Sequence, residues 1–358
     1  MKQVPDRRRA APKAGCSPLG GQRTRRSRGA WGHQSGAALL TAMITVALVA
    51  TLAAGALWRQ WRGVEVEAAE RARVQSAWLL SGALDWSRLI LAGDLREDRQ
   101  RAGEPPTDHL GEPWAVPLAE ARLSSFLAAG ESSTDTDREA FLSGQIVDLQ
   151  SRLNVMNLAS GDPVKAFARF ERLFSLLNLP NAELGALQRN LVRAQAAMSG
   201  SATDAAGGGD APLLPRRFDQ LSWLGLSPAT LQLLRPYVTV LPTEAQLPTR
   251  INLNTASAEV IYAAVPELDL AAAQRLVGTR NQAYFKDTAT ALASVAPPGL
   301  TPDPGWTAVS SSFFEVRGRL RLDQVALEEV SAVRRDPASR QVTTLWRERT
   351  AIGVPVPR

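Results

Sequence analysis

Cysteine and histidine are nearly missing from this chain, and each shortage removes a class of chemistry. Its 358 residues include one cysteine, Cys16, in a basic N-terminal segment. Everything after residue 36 therefore lacks a disulfide and must hold together by packing. Histidine occurs twice, as His33 and His109, and neither stands at metal-ligand spacing from a second donor. There is no Cys-His or Ser-His-Asp grouping, no G-x-S-x-G and no phosphate-binding glycine loop. The expectation is a protein that is not an enzyme. Repeats of solenoid period are absent too.

Net charge is also missing from most of the chain. The total of +6 and the pI near 10 point at first to a nucleic-acid or anionic-membrane binder. Nine basic residues and one acid lie in residues 1–36, a net of +8. That leaves 32 basic and 34 acidic residues in the remainder, a net of −2. The basic excess is a flank of the kind that stays cytoplasmic beside a membrane span. It does not argue for nucleic-acid binding by the body.

Beyond the basic flank comes a long apolar run. Residues 37–57 carry no charge and match the length of a bilayer's hydrocarbon core. Three readings compete. A cleaved signal peptide has a shorter apolar region, with its cut site at the far end, where Ala50–Ala56 offers small residues. A plain anchor and a prepilin both retain the run. Residues 58–94 contain no proline and stay rich in Ala, Glu, Arg and Leu, so the helix is expected to continue. Its apolar positions are Trp61, Val64, Ala68, Ala72, Trp78, Leu84 and Ile90.

The front edge, a basic segment, a Gly, a small residue and an unbroken helix, resembles a type IV prepilin. That resemblance implies cleavage by a membrane prepilin peptidase between Gly36 and Ala37, followed by methylation of the new terminus. Most such subunits carry a glutamate at the fifth mature position, where this chain has Thr41. A repeating subunit needs that carboxylate to pair with a neighbour's terminal ammonium, because a buried charge without a partner costs several kcal/mol. A first subunit at a tip has no such need.

Further stretches carry the resemblance to one branch. "SGQIVDLQSRLNVMNL" (143–158) is similar to a D-x-x-x-(R/K)-x-N-x-N-x-L pattern through Asp148, Arg152, Asn154, Asn157 and Leu158. Read physically, Ile146, Leu149, Leu153 and Val155 around a polar centre fit two short strands joined by a tight turn. Helices are expected over 162–180, with Asp162 as N-cap and Pro163 first, and over 181–198. A flexible loop is expected over 199–212, and two short helices around the Gly225–Ser227 turn. "INLNTASAEVIYAAVPELDLAAAQRLVGTR" (251–280) resembles a helix-hairpin-helix. Its turn, Pro266 to Leu270, has two acids and no glycine, which disfavours a phosphate backbone. After residue 305 the period changes to two. Phe314, Val316 and Leu320/Leu322, then Val342, Thr344 and Trp346, predict three antiparallel strands.

Together these features resemble the general secretion pathway protein K family, the K-type minor pseudopilins of the type II secretion system. The fold implied is α+β, a pilin-like long N-terminal helix on an antiparallel sheet with a large inserted all-α domain. The expected parts are a leader (1–36), a transmembrane half-helix (37–58), a core (59–159), a helical insert (160–290) and C-terminal strands (291–358). The function implied is to cap the secretion pseudopilus and prime its assembly for export across the outer membrane. Implied partners are I- and J-type minor pseudopilins, the major pseudopilin and the prepilin peptidase; no nucleic acid is expected. The placement implied is single-pass in the inner membrane, with a cytoplasmic leader and a periplasmic domain. The alternatives are a minor pilin of a type IV pilus and a membrane-anchored hairpin-helix DNA binder. The family includes calcium binders, and Glu131, Asp135, Asp137 and Glu139 form a candidate calcium loop.

Overall fold

The computed structural model describes residues 35–100, 105–123, 140–198, 211–243, 247–295, 303, 305–322 and 325–353. It divides into two units, Met1–Val66 and Glu67–Arg358.

Helix α1 (Ser35–Gln100) runs without a break, further than residue 94, because no proline or capping residue stops it. In the first unit its side chains are exposed almost throughout, Leu40, Met43, Ile44 and Leu52 among them. By length and composition it is the one helix among the described residues able to cross a membrane, with a stretch of mean hydropathy 2.2.

In the second unit α1 lies on a five-stranded antiparallel sheet. The strands are β1 (Leu118–Arg122), β2 (Ala140–Asp148), β7 (Phe313–Leu322), β8 (Val325–Arg335) and β9 (Val342–Gly353), in the order β1-β2-β7-β8-β9. Leu80, Leu84, Leu91 and Leu95 recur every turn or two along one helix face and are buried. Leu84 and Leu91 meet Trp114, Phe314, Val316, Val333 and Val342, and Leu80 meets Leu320 and Leu327. The three C-terminal strands are those expected from their period of two. One parity differs: Val342 faces α1, whereas Trp346 packs on the opposite face with Leu149, Leu241, Phe313 and Ala332. The register slips between Ala332/Val333, pairing them with Trp346 and Thr344. The extra residue, Leu345, makes a bulge and reverses which side chains point inward.

Between β2 and β7 lies a helical body. It comprises β3 (Leu153–Asn154), α2 (Pro163–Leu176), α3 (Asn181–Met198), α4 (Pro228–Leu234), β4 (Val238–Thr239), β5 (Ile251–Asn252), α5 (Ala258–Ala264), α6 (Leu270–Gln282), α7 (Thr288–Ala293) and β6 (Thr307–Ala308). Its core runs from Leu153 to Val309 and includes Phe170, Phe174, Leu187, Val260 and Leu276. The body thus begins before residue 160 and ends after residue 290, because the short strands flanking those limits pack into the helical core rather than onto the sheet. The pair of strands expected at 143–158 is also different. β2 is one long strand ending at Asp148; a single 3-10 turn follows, then two residues of β3 paired in parallel with β4.

The body contains an echo. Leu153-Asn154 and Ile251-Asn252 both form two-residue parallel pairs, with β4 and β6. In both, the asparagine side chain accepts from the backbone N–H two residues on, Met156 at 3.1 Å and Asn254 at 2.9 Å. The hairpin after α5 is held from inside. Arg169 of α2 donates to the Ala264 carbonyl at 2.9 Å, and Arg172 to those of Tyr262 and Leu268 at 3.1 and 2.8 Å. The Tyr262 and Ala264 carbonyls are among those that the end of α5 leaves open, and the Leu268 carbonyl belongs to the turn before α6. With Leu268 buried and its carbonyl occupied, this part of the hairpin backbone is taken up by protein instead of being offered to a phosphate.

Candidate functional site

Gly36 and Ala37 occupy the first turn of α1. The Thr41 hydroxyl donates back to the Ala37 and Ala38 carbonyls, both at 3.0 Å. Threonine at this place therefore meets its hydrogen-bonding need within its own helix and carries no charge into the apolar stretch. Glu131, Asp135, Asp137 and Glu139 lie outside the described residues.

The outward face of α1 is the first feature that its own fold does not explain. Trp78 is 75% exposed, Trp86 65%, Leu89 64% and Val74 54%. Trp78 therefore does not share a face with buried Leu84, as the sequence spacing implies; six residues turn it to the far side. Val74, Trp78, Trp86 and Leu89 form a stripe roughly opposite the leucines that meet the sheet. Gly82 and Gly93 fall within it, and a Cβ at either would meet nothing within 4 Å. Large rings alternating with open glycines have the relief that helix–helix contacts use. A surface helix normally shows charge on this face.

The second feature is a buried polar hub where α1, the sheet and the helical body meet. Arg335, at the end of β8, donates to Asp94 of α1 at 2.7 Å and to both carboxylate oxygens of Asp108 at 2.5 and 2.6 Å. It also donates to the Ser311 carbonyl at 2.8 Å, and its guanidinium lies 4.8 Å from the Phe314 ring centre. Burial works against its charge, but Asp108 and then Asp94 outweigh that and hold its pKa above the ordinary value. Asp94, Asp108 and Glu112 place oxygens within 4.8 Å of one another, the spacing of a cation site. Arg335 already supplies the positive charge there, so the set is a guanidinium-neutralised cluster and does not fit a metal as it stands.

Glu112 is the strained member. Burial first, then the charges of Asp94 and Asp108, push its carboxyl up to about 8, against hydrogen bonds from Trp114 and His109. The unfolded carboxyl sits at 4.5. The folded protein thus holds a proton that the unfolded chain releases. The stability this contributes is complete below about pH 4.5 and is lost as pH rises through about 8. The expected result is stability that falls between pH 6 and 8 by up to about 1.4 kcal/mol per pH unit. Denaturant unfolding of the wild type and Glu112→Gln across that range measures it. The variant should lose most of the slope, and a flat wild-type profile would refute the assignment.

Asp148, ending β2, is the other buried carboxylate. It accepts from the Gln150 N–H at 2.7 Å, the Thr255 and Ser311 hydroxyls at 2.6 Å each, and the Asn252 amide at 3.2 Å. Burial pushes it to about 6, with those hydroxyls pulling the other way. Its pattern neighbours act as structural ties: Asn154 brackets Leu241, and Asn157 brackets Thr249. The sequence marks Asp148 and the asparagines as a pattern. It carries no sign of Asp94, Asp108, Glu112 and Arg335, whose partners lie up to 241 positions away.

Comparison with known proteins points the same way. Two family models described as type II secretion system (T2SS), protein K, match residues 151–243 and 251–310. A relative, type II secretion system protein K of Pseudomonas aeruginosa, is 27% identical over 338 residues, covering 90% of this chain and 95% of the relative. Among solved structures, the crystal structure of the GspK-GspI-GspJ complex from the enterotoxigenic Escherichia coli type 2 secretion system is similar with a TM-score of 0.56 and 18% identity. That match covers 79% of this chain and 98% of the other. The last likeness is one of fold.

Proposed function

Because the chain belongs to the type II secretion system protein K family, we propose that it closes the tip of that system's short fibre and starts the fibre's assembly. It is a minor pseudopilin. Its work is association rather than catalysis. The observation that carries this reading is the outward stripe of α1, Val74, Trp78, Trp86 and Leu89 around Gly82 and Gly93. Apolar side chains this large on the solvent side of a helix mark a contact made in an assembly. The partners are the I- and J-type minor pseudopilins, whose counterparts accompany the similar Escherichia coli chain, and below them the major pseudopilin.

Two further observations support a first position in the fibre. Thr41, bonded to its own helix, asks for no ammonium from a neighbour. The helical body between β2 and β7 adds bulk that another subunit could not readily stack over. The apolar half of α1 anchors the protein in the inner membrane, with the basic leader in the cytoplasm and the sheet and helical body in the periplasm.

The direct test is the amino terminus of the protein in its host membrane. The expected terminus is a methylated Ala37, present only in cells that have the prepilin peptidase. A leader that survives intact in those cells, or a terminus near Ala56, would rule out the pseudopilin pathway.

A further inference from the structure

The chain leaves the sheet at Asp148 and returns to it at Phe313, and those two crossings are tied together by side chains. Asp148 accepts from the Ser311 hydroxyl at 2.6 Å. Gln150 accepts from the Ser312 N–H at 2.6 Å and donates to the Arg250 carbonyl at 2.9 Å. The N-N-T motif of the helical body closes on the same carboxylate: Asn252 and Thr255 both donate to its second oxygen, which thus receives three donors. Asn252 also donates to the Asp108 carbonyl and to the Ser311 hydroxyl, each at 3.0 Å.

The apolar contact beside this tie is modest. The main cores are separate, one inside the helical body and two between α1 and the sheet. Leu149, Leu241, Phe313, Ala332 and Trp346 make a small cluster at the junction. The Arg217–Glu348 ion pair at 2.6 Å is largely exposed and contributes little. His109 and Tyr284 stack at 3.9 Å. A junction with a small apolar contact takes its orientation from whatever directional bonds it holds, and buried carboxylate bonds are both directional and strong.

We propose that Asp148 is the positioning residue of the helical body, a pivot that fixes the body's angle on the sheet through Asn252, Thr255 and Ser311. Without it, the segments 148–152 and 309–312 become a two-stranded hinge. The orientation set in this way is what the capping role uses, so the consequence for export rests on the proposed function, while the pivot itself does not.

The experiment is a spin-label distance measurement on the full chain in detergent. Labels sit at Glu171→Cys on α2 and Thr350→Cys on β9, both exposed, in a Cys16→Ser background. The expected wild-type result is one narrow distance. In Asp148→Ala the distribution should broaden or split while helical content and cooperative melting persist. Thr255→Val, which removes one donor at nearly constant shape, should broaden it less and guards against outright loss of folding by Asp148→Ala. A narrow, unchanged distance in folded Asp148→Ala overturns the proposal. So does a narrow distance in Thr255→Val should Asp148→Ala not fold. Loss of cooperative folding in both variants overturns it as well, since the junction would then be part of one indivisible core. A broadened distance with undiminished export keeps the pivot and counts against the capping role.

Discussion

Replacing Trp78 and Trp86 together by alanine is expected to weaken association with the proposed I- and J-type partners by about a hundredfold or more, with little change in the fold of the chain itself. Each ring is mostly exposed, 75% and 65%, and takes no part in the buried clusters against the sheet. Truncation at such places shifts stability by about 0.5 kcal/mol or less. At the centre of an interface, a tryptophan commonly contributes about 2 kcal/mol or more to binding. Gly82→Leu is the complementary change. It removes nothing and adds bulk where nothing lies within 4 Å, so the isolated chain should tolerate it and even gain helix propensity. The same bulk would fill a hole that a partner's side chain needs. Co-purification of full-length chains in detergent, alongside thermal unfolding of each variant alone, separates the two effects. Partner binding unchanged in both variants would remove the stripe from the assembly and with it the main support for the functional reading.

Arg335→Met is expected to be the most destabilising single substitution, costing about 3–5 kcal/mol. The guanidinium is the positive charge shared by Asp94 and the wholly buried Asp108. Removing it leaves Asp108 buried with only the Ser311 N–H, at 2.7 Å, on its second oxygen. For a folded unit of this size that is a fall in melting temperature of about 10 °C. Arg335→Lys should recover only part of it. One fork reaches Asp94 with Nη1 and Asp108 and the Ser311 carbonyl with Nη2, whereas an ammonium is a single point. The Arg335→Met loss should shrink at acid pH, where the orphaned carboxylates take up protons. A melting temperature within a degree or two of wild type would show that the cluster is not held by this charge.

How much of the fold is legible in the sequence depends on how local each signal is. The apolar run and the unbroken helix after it are read from neighbouring residues, and α1 matches both. Asp162 with Pro163, and the period of two after residue 305, are likewise local, and they lie where helix α2 and strands β7 to β9 begin. Helix faces are harder. Trp78 is apolar and reads as one of the helix's inward residues although its spacing from Leu84 turns it away, because apolar character alone does not distinguish a face that meets the sheet from one that meets another molecule. The bulge at Leu345 is a one-residue event that leaves no mark in composition, yet it reverses Trp346. The polar hub is out of reach. Arg335 and Asp94 are ordinary surface residue types until the fold closes around them. Asp148, Asn252 and Thr255 are visible as a pattern, and only the tertiary arrangement shows that they share one carboxylate oxygen. For the proposed cleavage between Gly36 and Ala37 the sequence is the guide, since in the fold these residues are simply the start of a helix.

β2 and β7 are neighbours in the sheet, with Asp148 opposite Phe314, although the whole helical body separates them along the chain. A sheet built this way is slow to close on its own, because joining ends about 160 residues apart costs an unfolded chain roughly 4–5 kcal/mol in loop entropy. Folding of the helical body first removes most of that cost by bringing Asp148 and Ser311 side by side. Synthesis imposes the same order. The leucines of α1 emerge early, but Phe314, Val316, Leu320, Leu327 and Val333, which cover them, come from the last strands to be made. Until then the nascent chain carries an uncovered apolar helix face beside a membrane. A helical insert that folds first would hand those final strands two chain ends already held side by side.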